Sequence, residues 1–176
     1  MTWHPDGLLR NWDVLDFAGG TVVHMSAGFA ALAGAVYLGK RKRNVHNPSQ
    51  VPYIILGTAL LWFGWFGFNA GSALGANLDA VSAFANTNFA SAAAMIAWIF
   101  FDMFNKKKMS ATGACIGAVV GLVAITPAAG FVTIGQSIFI GFISALISWY
   151  AVQVKNKSGL DDTLDVFPCH GIGGVS

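Results

Sequence analysis

The chain has 176 residues, 55% of them hydrophobic and only 10% charged, with a mean hydropathy of +0.61 and a formal net charge of +2. That composition excludes an ordinary soluble domain and points to an integral membrane protein. All eight acids are Asp and the bases fall in short clusters, so neither a nucleic-acid-binding stripe nor a nucleic-acid partner is expected.

The chain opens on MTWHPDGLLRNWD, which lacks the basic start and short apolar core of a signal peptide and reads as a loop. A hydrocarbon core of ~30 Å needs about 20 mainly apolar residues as helix. Five stretches are predicted to meet it: roughly Asp16 to Gly39, Pro52 to Ala73, Val81 to Phe104, Ala111 to Thr126 and Phe131 to Val154. A sixth begins near Val166. The third opens on the polar AFANTNFAS, with Asn86, Thr87 and Asn88, before turning firmly apolar. The closing HGIGGVS reads as the first turns of an apolar helix, so the chain is expected to be a piece of a longer protein.

Of ten Lys and Arg, nine lie in three clusters, 40–43, 106–108 and 155–157. These follow the first, third and fifth predicted helices and therefore share one side of the membrane, expected to be cytoplasmic. The first helix then runs inward, and LDDTLD, Leu160 to Asp165, is cytoplasmic. Cys115 and Cys169 are expected to be small buried side chains, not a disulfide or metal site. Gly113, Gly117 and Gly121, and Ala27 with Ala31 and Ala30 with Gly34, have the four-residue spacing that lets helix backbones approach closely.

Eight positions separate Asp16 from His24, and eight separate Asp162 from His170. The first pair enters from outside and the second from inside, the weak internal symmetry expected of inverted-repeat transporters. Eight residues at ~1.5 Å each carry a helix ~12 Å inward, so both imidazoles should reach mid-depth from opposite faces. An intramembrane His is costly unless it is paired or faces a cavity, and so marks a functional site. Asp16 has the position of a helix cap that also favours cations at an entrance. Asp162, beside Asp161 and Asp165, reads as a solvated loop acid.

In LWFGWFGFNAGSA, Trp65, Phe68, Asn69 and Ser72 fall on one helical face that ends at the outer surface. Aromatic faces beside a hydroxyl suit a small cation, since cation–π attraction reaches about 2 kcal/mol once water is removed. Taking the charge through the apolar middle costs far more, so a protonatable amine would cross more easily after losing its proton. The histidines could accept, donate or relay it.

LDFAGGTVVH (Leu15 to His24), LGKRK (Leu38 to Lys42), GWFGFNAGSA (Gly64 to Ala73), ITPAAG (Ile125 to Gly130) and DVFPCHG (Asp165 to Gly171) together resemble the ammonium transporter and Rhesus family, and its ammonium transporter branch in particular. The resemblance spans nearly the whole chain, 1–176, as one transmembrane domain. It implies an all-α integral membrane bundle of inverted-repeat type, here about the fifth to the start of the tenth of eleven helices, in a homotrimer with a pore in each subunit. It implies that ammonium is recruited at Trp3 and Ser72, gated by Phe68 with Trp65 beneath, and passed as ammonia by His24 and His170, with Asp16 needed for conduction. Methylammonium would be a second substrate and a PII-type protein a cytoplasmic regulator. The segments that would supply a second gating Phe and most of the other half of the repeat are not in this chain.

Two further readings come from other classes. An ammonium sensor would need an added signalling domain. A membrane redox protein could hold haem between His24 and His170, although no CxxCH occurs. Neither HExxH nor GxSxG is present, so hydrolytic catalysis is not expected, and no cofactor is assigned.

Overall fold

The computed structural model describes residues 1–42, 50–105 and 107–175. Arg43 and Lys106 of the basic clusters therefore lie outside the described residues. Among the described residues the chain is helical, without strands. A short α1 (Leu8–Asn11) lies in the opening loop. It is followed by α2 (Gly20–Leu38), α3 (Val51–Gly71), α4 (Leu78–Phe104), α5 (Ala111–Ile125), α6 (Ile134–Ser158) and α7 (167–175). Four of these, α2, α3, α4 and α6, are long and apolar enough to cross a membrane, and the protein is a multi-pass membrane protein.

The sequence places most helix ends within a few residues, and local chemistry explains the shifts. The first helix begins at Gly20 and not at Asp16, because the Asp16 carboxylate sits outside the helix and accepts its first backbone N–H groups. The fifth predicted segment starts three residues late, at Ile134, where Thr133 and Gln136 form a reciprocal capping box. It also runs on to Ser158, ending at Gly159 with φ of 74°, a conformation glycine adopts without strain. Although α5 has only 15 residues, its last six are all buried, with Val120, Leu122, Val123 and Ile125 inaccessible to solvent.

The core is built from α4, α5 and α6. A Cβ at Gly117 would lie 2.6 Å from Trp98 Cβ, and one at Gly121 only 2.5 Å from the Ala90 carbonyl oxygen, so α5 lies directly on the α4 backbone. Gly141 brings α6 onto Ala90 in the same way. The expected contact through Ala27, Ala30 and Gly34 is not made: Ala27 and Ala30 are exposed and nothing lies within 4 Å of a Cβ at Gly34. Gly28 provides the close approach in their place, against Gly171 of α7. Elsewhere α2 and α3 leave broad apolar faces uncovered, while the end of α5 is enclosed.

The polar opening of α4 is an inner face. Asn86 Nδ2 donates to the carbonyls of Ala129 at 2.9 Å and Val132 at 2.7 Å. Thr87 donates to Ala83 and accepts from Asn69 Nδ2 at 2.9 Å. Asn69 is thus turned toward α4 and not along the aromatic stripe. Cys169 is buried beside Trp98, Val120 and Trp149, as expected, whereas Cys115 is only half-buried, on the side of α5 that the other helices leave partly open.

The described members of the three basic clusters gather at one end of the bundle. The Arg41 backbone N–H and Nε both donate to Asp161 at 2.8 Å, and its guanidinium also bonds Thr163 Oγ1. Lys107 donates to Gln153 near the end of α6 and lies 5.1 Å over the Trp149 ring. Lys155 Nζ approaches Asp165 Oδ1 at 2.6 Å.

Candidate functional site

Two helix starts of opposite direction build the site. At the end away from the basic clusters, Asp16 is buried and its Oδ1 accepts from the N–H groups of Gly19 at 3.0 Å and Gly20 at 2.6 Å. Its Oδ2 accepts from Thr21 at 3.1 Å and Val22 at 3.3 Å. One carboxylate therefore satisfies four N–H groups at a helix start and opposes its dipole. Gly19 has φ of 117°, which an L side chain would resist, and lets the chain turn from Asp16 into α2.

At the opposite end Asp162 repeats the arrangement. Its Oδ1 accepts from Val166 N–H at 3.1 Å and its Oδ2 from Phe167 N–H at 2.8 Å. The expectation of a solvated loop acid is wrong for this residue, which is only 6% exposed. The backbone donors freed at the start of α7 draw the carboxylate inward.

Each start then passes into a wide, π-helical turn, Gly20–Met25 in α2 and Phe167–Ile172 in α7. Each turn carries one of the histidines. Such turns recur at functional sites because they re-aim side chains relative to a regular helix. The helices run antiparallel, since Phe29 meets Phe167, Gly28 meets Gly171, and Gly174 packs beside His24 and Met25.

The imidazoles meet where the helices cross, with His24 Nδ1 3.4 Å from His170 Nδ1 and ring centroids 5.4 Å apart. His24 is buried and His170 half-buried. Trp65 stacks on His24 at 5.1 Å with planes 18° apart, and Phe68 lies 5.9 Å from the same ring. Trp65 and Phe68 pack edge to face at 5.6 Å. The structure thus brings together four of the residues singled out in the sequence. Rings that hydrogen-bond directly to each other leave no room for an iron porphyrin between them, and the haem reading is dropped.

Trp3 and Ser72 occupy the outer end. Trp3 is 55% exposed, and its indole Nε1 donates to the Asp16 carbonyl at 2.7 Å, which anchors it above the start of α2. Trp12, also in the opening loop, is more exposed. Ser72 Oγ donates to the Phe68 carbonyl at 2.8 Å, leaving its lone pairs directed away from the helix. Among the described residues, no hydrogen bond or ring contact joins Trp3 to Ser72 or Phe68.

Sequence reasoning missed Thr126. Its hydroxyl is fully buried, 3.2 Å from His24 Nε2, 3.0 Å from Trp65 Nε1 and 2.8 Å from the Leu122 carbonyl. Backbone bonds deliver it there: Phe17 N–H donates to Pro127 O at 2.9 Å and Ala18 N–H to Thr126 O at 3.2 Å, tying the start of α2 to the end of α5. The available signal was the Thr-Pro step, where Pro removes the next backbone donor and ends the helix.

The family model described as Ammonium Transporter Family matches residues 1–176. An ammonium transporter of Aquifex aeolicus is 53% identical over 170 residues, covering 96% of this chain and 40% of the relative. The crystal structure of Candida albicans Mep2 superposes with a TM-score of 0.92 at 43% identity, over 98% of this chain and 40% of that one. A structure described as a sensor Amt protein gives 0.89 at 35% identity, over 96% of this chain and 44% of that one. The chain thus spans about two fifths of the length of the relatives it matches.

Proposed function

The chain belongs to the ammonium transporter family, and from that premise we propose that it forms part of a pore that carries ammonium across the cell membrane. The observation that carries the reading is the meeting of His24 and His170 at the crossing of two oppositely directed helices, each capped by a buried Asp.

Ammonium is gathered at the outer end, where Trp3, Phe68 and Ser72 offer aromatic faces and a hydroxyl oxygen. The Ser72 proton is already committed to Phe68 O, so its oxygen is free to accept an ammonium N–H. The Asp16 carboxylate is spent on four backbone donors, so it favours cations through its charge and not by direct ligation. Beyond Phe68 the path narrows between aromatic rings, where a bare cation is poorly tolerated. Ammonium gives up its proton near Asp16 or Trp65, and ammonia passes His24 and His170. Domain 1–176 acts as one transmembrane unit, its basic end faces the cytoplasm, and the assembly is a homotrimer open to a PII-type regulator on that face.

Methylammonium uptake in transporter-deficient cells tests the reading, comparing wild type with Asp16→Ala and with His24→Ala plus His170→Ala at equal membrane expression. Lost uptake or altered selectivity is expected; uptake equal to wild type in both variants would remove these residues from the path. A charge readout in proteoliposomes separates net ammonium transport, which carries current, from ammonia conduction, which does not. Native mass spectrometry that finds only monomers would sink the trimer.

A second reading, sensing, is favoured by one observation, the likeness to the structure described as a sensor Amt protein. Ligand-dependent signalling by a protein that shows no uptake would select it.

A further inference from the structure

Among the described residues three acids are buried, Asp16, Asp102 and Asp162, and the first and last each cap the start of a helix that carries a histidine. We infer that Asp102 is a positioning residue for His170: its carboxylate holds the Trp149 indole, and the indole holds the wide turn of α7 on which His170 sits. Only the consequence for uptake rests on the proposed pore.

Asp102 lies in the last turn of α4, the end of a helix where the backbone dipole disfavours an anion. It is 8% exposed and makes no ion pair with a Lys or Arg among the described residues. A buried carboxylate in that setting needs compensation from elsewhere. Two neighbouring helices supply it. Oδ1 accepts from Trp149 Nε1 of α6 at 2.8 Å, a nitrogen that can only donate. Oδ2 lies over the start of α5, 2.9 Å from where a Cβ on Gly113 would stand. The favourable end of the α5 dipole thus offsets the unfavourable end of α4.

The indole is then held at two places. Asp102 takes its N–H, and Lys107 Nζ stands 5.1 Å from the centre of its ring. Lys107 is itself tied in, by its backbone N–H to Asp102 O at 2.9 Å and by Nζ to Gln153, one turn beyond Trp149. A Trp149 ring turned to another rotamer would lose both contacts.

What this ring supports is α7. Trp149 belongs to one buried cluster with Trp98, Val120, Val152 and Cys169, and Cys169 immediately precedes His170 inside the wide turn Phe167–Ile172. On α6, Ser148, Val152 and Lys155 fall on the side that meets α7. A Cβ on Gly173 would lie 3.1 Å from Ser148 Oγ, and Lys155 Nζ is 2.6 Å from Asp165 Oδ1. Trp149 and Val152 fill the interval between those two contacts, beside Cys169. A turn of six residues has too few bonds to keep its own shape, so packing decides it. Releasing the indole from Asp102 therefore releases the support of the turn that aims His170.

The test follows the His170 backbone amide in the full-length protein, in lipid bilayers without ammonium. Cys-His occurs once in this chain, so 13C at the Cys carbonyl and 15N on His isolate that one bonded pair by solid-state NMR. Asp102→Asn keeps an oxygen for the indole and should leave the resonance in place. Asp102→Leu and Trp149→Phe should each displace it, and adding Asp102→Leu to Trp149→Phe should move it no further, because the acid acts through the indole. Methylammonium uptake per folded protein should keep its KM, which the outer end sets. Its maximal rate should fall about tenfold in Asp102→Leu and recover in Asp102→Asn, since misplacing a positioned group costs up to ~100-fold.

An unmoved resonance in Asp102→Leu or Trp149→Phe, a displacement in Asp102→Asn as large as in Asp102→Leu, or further movement in the double variant would each overturn the inference. Should Asp102→Leu not assemble, Asp102→Asn against Trp149→Phe still decides, since the first must match wild type and the second must not. A displaced resonance with undiminished uptake would leave the placement standing and count against the pore reading.

Discussion

Gly28 of α2 packs against the backbone of Gly171 in α7, so closely that a Cβ on Gly28 would meet the Gly171 nitrogen and Cα and come within 2.9 Å of the His170 carbonyl carbon. Neither partner is a flexible side-chain tip, so the contact cannot yield by a rotamer change. The crossing sets the distance between the imidazoles, because His24 lies one turn before Gly28 and His170 immediately before Gly171.

Gly28→Ala should therefore lose both stability and uptake, by about 1–3 kcal/mol for an overpacked contact. Gly34→Ala, on the same helix with nothing near, should be silent in both. Thermal unfolding in mixed micelles and methylammonium uptake check the pair. Equal behaviour of the two variants would contradict the role given to the crossing.

Asp16→Asn and Asp162→Asn should each weaken a helix start, since an amide keeps one acceptor oxygen where the carboxylate offers two. Loss of a cap costs about 0.5–2 kcal/mol. Asp16 holds four donors and Asp162 two in the bonds described above, so Asp16→Asn should destabilise more. The reverse order in denaturant titrations would count against the capping account.

Trp65→Phe keeps an aromatic face on His24 but removes the indole donor to Thr126. The expected loss is about 1 kcal/mol, one neutral hydrogen bond. Trp65→Ala also opens a cavity among Leu122, Val123 and the His24 ring, for about 3–5 kcal/mol. A calorimetric comparison in which the two variants coincide would show that the indole N–H carries the larger share.

Asn86→Asp should be worse than Asn86→Leu. Asn86 Nδ2 serves two carbonyls at the turn after α5, and a carboxylate can donate to neither while adding a buried charge. Membrane expression of the Asp variant should fall well below that of the Leu variant; equal levels would refute the donor role.

Arg41 and Asp161 should couple only weakly. The Asp161 side chain is only 6% exposed but that of Arg41 is 45% exposed, and screening through the open guanidinium limits the pair to about 0.2–1 kcal/mol despite its short contacts. A double-mutant cycle of Arg41→Ala and Asp161→Ala should show coupling that shrinks at high salt. Salt-independent coupling would mean that the buried Asp161 side, and not the open Arg41 side, sets the strength of the pair.

The helices and the meeting of the two histidines were legible in the sequence because each rests on a strong local signal. Apolar runs of membrane length mark α2, α3, α4 and α6, and the repeated Asp-to-His spacing marks the two helix starts. Asp162 was misread because its acidic neighbours suggested water, whereas the identical spacing to His170 already held the better signal. Thr126 was hidden for another reason. Its distance from His24 along the chain is 102 residues, and the pairing of Phe17 and Ala18 N–H with the Pro127 and Thr126 carbonyls brings the two together. Asn69 shared the helical face of Trp65, but its partner Thr87 lies on α4, which the periodicity of α3 alone cannot reveal.

The antiparallel crossing of α2 and α7 also bears on direction. Their backbone dipoles point opposite ways, and each positive end is met by its own carboxylate. Over the overlap the two backbone fields oppose each other and largely cancel. For the transport proposed, this crossing does not act as a rectifier, and the sense of flow is left to the gradients on either side.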